Sequence, residues 1–181
     1  MEAVAGVEEA AVGGAVAEAA AVFPAAVAAP AAAAREAAGD TMSTLSIDHD
    51  RVVAAIGAAE QRTSGEIRVL VAKQAAPDPV AAAQQQFERL GMHRTAARNG
   101  VLIYIAPVSR TFAVIGDTGV HEKCGDPFWT ELAAAMTDHF KRGDFTGGLV
   151  HGIERAGALL AEHFPRSPDD KNELPDTVEE A

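Results

Sequence analysis

VLIYIA, residues 101–106, is nearly all apolar, and such a run predicts a central strand covered on both faces. The segments around it decide what kind of sheet that strand can join. EIRVLVA, residues 66–72, alternates and is β-branched, so it predicts a second strand. Thr111 to Gly116 predicts a third strand, joined to VLIYIA by the tight connection Pro107–Arg110 as a hairpin. Between the first two strands, Pro79 opens a helix that runs to Leu90, with Val80, Ala83, Phe87 and Leu90 on one face and Gly91 as its stop. A helical crossover makes those two strands parallel and the connection right-handed. The hairpin makes the third strand antiparallel to the second.

Three further helices complete the pattern. Asp48 caps a helix ending before Thr63-Ser64-Gly65, with Val52, Val53, Ile56 and Ala59 on one side. Asp126-Pro127 reads as cap and first turn of a helix carrying Trp129, Leu132, Met136 and Phe140. The last runs from about Phe145 to His163, with Leu149, Ile153, Ala156 and Leu160 inward. The expected fold class is α/β, a small mixed sheet flanked by helices on both faces, with flexible termini.

The ends of the chain differ from this middle. Residues 1–41 are about half alanine, with six acids and one base, and read as a low-complexity, frayed and partly helical extension. Met42 is an alternative start, in which case the extension is not translated. Residues 166–181, RSPDDKNELPDTVEEA, carry six acids and two bases and read as an acidic flexible tail that could dock by Leu174. The domain proper is therefore expected over 42–165.

The net charge of -11 belongs mostly to these ends, because residues 42–165 hold fourteen acids against twelve bases. A nucleic-acid groove needs a basic face, and none is encoded. No apolar stretch suits direct membrane insertion: the alanine-rich segment is interrupted by Glu18 and prolines. Acids stand where a leader peptide needs positive charge, and the single Cys124 allows no internal disulfide, so a cytoplasmic location is expected.

The topology brings particular polar residues together. Parallel strands start at the same rim, and an antiparallel third strand ends there. Glu66, then Arg98 and Asn99, then Asp117 are expected to converge, followed by a glycine-punctuated loop with His121, Glu122, Cys124 and Asp126. Glu66, Asp117, Glu122 and Asp126 offer the hard oxygen ligands that Ca2+ or Mg2+ requires. Arg98 and a helix N-terminus suit an anion. Other readings stand beside these: Asp126 as a helix cap, Asp117 as a turn residue, Glu66 as a solvent-facing strand residue. His121-Glu122 is no zinc motif, since Gly125 stands where the second histidine belongs.

TSGEIRVLVA, RNGVLIYIAP, RTFAVIGDTGVHEK and FKRGDFTGGLVHGI, taken in that order, resemble the TPM domain, the family of the plant thylakoid lumen phosphatase, over about residues 47–165. The resemblance implies an α/β sandwich and maps family positions onto Glu66, Asn99, Asp117 and Asp144, which adds Asp144 to the expected rim residues. It implies an acid phosphatase or calcium-binding role, as in some members, or an accessory role toward membrane complexes, as in others. It also implies membrane-anchored TPM or LemA-like proteins as partners. No nucleophile–base pair is evident, which favours a soluble accessory or binding module with a divalent-cation site at the rim. The alternative is a metal-assisted acid phosphatase acting on phosphate esters.

Overall fold

The computed structural model describes residues 17–22, 46–166 and 178–180. Its central strands follow from the apolar runs: β2 (Glu66–Val71), β3 (Gly100–Ala106) and β4 (Thr111–Gly116), with β3 and β4 buried along their whole length. β2 and β3 are parallel and β3 and β4 antiparallel. An alanine-rich strand β1 (Ala17–Val22) extends the sheet beyond β4, and a short β5 (Val178–Glu180) extends it beyond β2, giving the order β1-β4-β3-β2-β5.

Helix α2 (Pro79–Arg89) is the crossover, capped by Asp78 and stopped at Gly91, whose φ of 69° suits glycine. It lies on one face of the sheet, where Phe87, Ala83 and Met92 pack on Leu70, Leu102, Tyr104 and Ile115. Helices α1 (His49–Glu60), α3 (Thr118–Lys141) and α4 (Phe145–His163) cover the other face. There Val52, Ile56, Trp129, Leu132, Met136, Ile153 and Leu160 close over Ile67, Val69, Val101, Ile103, Phe112 and Val114. Burial of the two apolar faces is what holds the layers together. No helix among the described residues is long and apolar enough to cross a membrane.

Three expectations change. The loop expected at His121–Asp126 is not a loop. Asp117 starts a helix at Thr118, and the chain stays helical apart from one break at Gly125, φ 64° and ψ 179°. Pro127 explains the break, because it lacks the N–H that would continue the ladder, and glycine alone accepts the backbone angles needed there. Residues 17–22, expected within a frayed, partly helical extension, form a strand on β4 in the register Ala17↔Gly116 to Val22↔Thr111. The unpaired backbone of an edge strand accepts almost any extended segment, including one of low side-chain content. Within the acidic tail, Val178–Glu180 form a short strand paired parallel to β2. Met42 and Leu174 lie outside the described residues.

Candidate functional site at the sheet rim

Strand register sets the rim. Glu66 stands opposite Gly100, and the Asp117 N–H donates to the Gly100 carbonyl at 2.9 Å, so the three residues form one row across β2, β3 and the end of β4. Alternation along each strand turns Glu66 and Asp117 to the face that carries α2. Glu66 is 4% exposed and Asp117 is fully buried.

A buried carboxylate needs compensation, and Arg98 supplies it. Its Nε donates to Asp117 Oδ2 and its Nη2 to Oδ1, both at 2.8 Å, a bidentate pair. Oδ1 also accepts from the Thr118 N–H at 2.7 Å, which makes Asp117 the cap of α3. The bond to Asp117 raises the Arg98 pKa against the opposing effect of burial. The Arg98 backbone adopts φ 51°, a left-handed conformation uncommon for a residue with a side chain. The turn is organised by Thr95, whose carbonyl accepts from Arg98 N at 3.1 Å and whose hydroxyl accepts from Asn99 N at 3.1 Å. Gly119 fits the start of α3 against this turn: a Cβ there would lie 2.5 Å from the Ala97 carbonyl oxygen and 2.7 Å from that of Arg98.

Asn99 joins the rim to the end of α1. Its Nδ2 donates to Ser64 Oγ at 3.2 Å, while its buried Oδ1 has no hydrogen-bond partner among the described residues. Ser64 N and Thr63 Oγ1 both donate to the Phe164 carbonyl, so the C-terminal ends of α1 and α4 meet beside the start of β2.

The other sequence candidates fall elsewhere. Glu122 is exposed on the first half of α3. Asp126 is 92% exposed, with Oδ1 3.9 Å from His121 Nε2. Asp144 is not at the rim. It caps α4 at the opposite end, because α3 carries the chain away from the rim and α4 carries it back. There Asp144 Oδ1 accepts from Gly147 N, and Oδ2 lies 2.9 Å from His139 Nδ1. Among the described residues no group of three or more His, Cys, Asp or Glu side chains is placed to hold a metal ion. Both oxygens of Asp117 are already bound, so the four carboxylates do not form one ligand set in this arrangement.

Cys124 is half-buried, and burial pushes its thiol up to about 11, with the Asp126 charge adding to the effect. A nucleophilic thiol needs the opposite environment. Sequence reasoning missed two pairs: the bidentate bond of Arg98 to Asp117, and Arg68, 4% exposed at its side chain, bound to Glu179 on β5 at 2.9 Å. The signal for the second was a lone arginine inside EIRVLVA.

A family model described as the TPM domain matches residues 40–159. The NMR structure of BA42 protein from the psychrophilic bacterium Bizionia argentinensis is similar to this chain at 43% identity, over 74% of this chain and 92% of that one, with a TM-score of 0.68. No curated protein matches.

Proposed function

Because the chain belongs to the TPM domain family, we propose that it works as an accessory binding module rather than as a phosphatase. The observation that carries this reading is the commitment of Asp117. Its carboxylate is fully buried, both of its oxygens are bound by Arg98, and Oδ1 also starts α3, so it supports a fixed polar surface and presents no free oxygen to an incoming water or metal ion. Burial pushes the single thiol of the chain, Cys124, up to about 11, away from the range of a nucleophile.

Calcium or magnesium enters this reading only as a competitor of Arg98. An ion at the rim would have to take Asp117 from the guanidinium, which is 40% exposed and so has a path to solvent. The proposed partner class, a membrane-anchored TPM or LemA-like protein, rests on the family resemblance. Binding to purified candidates of that class tests it.

The deciding experiment is a phosphate-ester turnover assay on the full chain between pH 4 and 8, with and without millimolar Ca2+ or Mg2+. The expected result is no turnover above that of an Asp117→Asn variant under any condition. Metal-dependent turnover lost in that variant restores the phosphatase alternative.

A further inference from the structure

The edge of β2 opposite β3 is not bare. Val178, Glu179 and Glu180 pair with Val69, Leu70 and Val71 in parallel. Val178 packs against the core under α1, α3 and α4. Glu179 is held on the α2 side by Arg68, Oε1 to Nη1 at 2.9 Å, and by Arg89, Oε2 to Nη2 at 3.5 Å. Lys73 Nζ lies 3.3 Å from Glu180 Oε2. Three cations from β2, α2 and the loop between them thus face one edge and meet two consecutive glutamates.

Arg68 makes this arrangement more than a surface charge pattern. A guanidinium in the interior of a strand and almost fully buried is tolerable only with a carboxylate against it. That carboxylate comes from a strand of three residues. So short a parallel strand adds few backbone bonds and little apolar area. The edge is built for an extended segment with an apolar residue followed by two acids, while the segment on it is short enough to be exchanged.

We propose that the β2 edge, with Arg68, Arg89 and Lys73, is a receptor site for an extended acidic segment of a partner protein, read by strand addition in the pattern apolar-Glu-Glu. The chain's own C-terminal strand fills the site when that partner is absent. Backbone pairing supplies affinity without regard to sequence. Arg68 supplies the register, because only one position along the incoming strand places a carboxylate against it. The internal strand belongs to the same chain, so its local concentration is high and it competes with any segment offered from outside. This site is separate from the rim and does not depend on what the rim binds.

The test uses the full chain and a labelled peptide of residues 174–181, LPDTVEEA. In wild type the internal strand occupies the edge. In the Glu179→Lys, Glu180→Lys double variant the strand is repelled and the edge opens. Fluorescence anisotropy should show binding at least about tenfold tighter to the double variant than to wild type. The milder Glu179→Gln variant, which keeps the side-chain size, should fall between them. Adding Arg68→Gln to the double variant should abolish binding, and the peptide should raise the melting temperature of the double variant. Equal binding to wild type and double variant, or binding to neither, overturns the proposal. So does a concentration-dependent dimer of wild type that disappears in Glu179→Lys, which would make a second copy the occupant.

Discussion

Arg98 and Asp117 form a bidentate ion pair with one partner fully buried and the other 40% exposed. The asymmetry decides which half matters more. Arg98→Ala leaves a buried carboxylate without its counter-charge, a change expected to cost about 3 kcal/mol. Asp117→Asn keeps a capping side chain and removes the charge, so it should cost less. In the double variant the asparagine no longer needs a cation. Chemical denaturation of the four proteins should therefore give a coupling energy on the order of 1–3 kcal/mol. Strict additivity would show that the pair contributes nothing specific.

The contact of Gly119 with the preceding turn gives a second prediction. A methyl group at this position meets the carbonyl oxygens of Ala97 and Arg98, which are backbone and cannot rotate away. Gly119→Ala should destabilise the protein by roughly 1–3 kcal/mol despite the better helix propensity of alanine. Thermal unfolding that is unchanged or raised would show that the turn yields.

Acid sensitivity is expected at the opposite end of α3. The hydrogen bond from His139, followed by that from the Gly147 N–H, lowers the Asp144 pKa below its ordinary 3.8. A carboxylate with a depressed folded-state pKa contributes stability above its unfolded pKa, and that contribution is lost as pH falls through the folded value. The difference in stability between wild type and Asp144→Asn should therefore be present at pH 6 and vanish on acidification below the ordinary aspartate range. A difference independent of pH would assign it to capping geometry alone.

Cys124 should react slowly. With its pKa at about 11, the thiolate fraction at pH 8 is about a hundredfold below that of a free cysteine. Alkylation of the native protein at pH 8 should be slower by about that factor and should approach the free-thiol rate after unfolding in denaturant. A rapid native reaction would mean that the first half of α3 opens.

The sequence by itself determined the sheet and its crossover. Six apolar residues at 101–106 need cover on both faces, the helix begun at Pro79 must cross between parallel strands, and the hairpin must bring its third strand back. That much places Glu66 and Asp117 at the same rim, because strand order and direction are local consequences of periodicity and connection length. Tertiary structure alone decided how those groups pair. Arg98 lies 19 residues from Asp117, has a left-handed backbone and binds both carboxylate oxygens. Arg68 and Glu179 are 111 residues apart and meet because β5 adopts one register. The packed chain adds a helical stretch from Thr118, capped by Asp117, ahead of the Asp126-Pro127 helix start legible in the sequence, and Gly125 is the break between the two. Asp144 resembled a rim residue only by its place in the family pattern, and α3 carries it to the other end of the molecule. Periodicity encodes which side chains are buried. It carries no term for which buried charge finds which partner, because that depends on register and helix direction set by the packing of the whole chain.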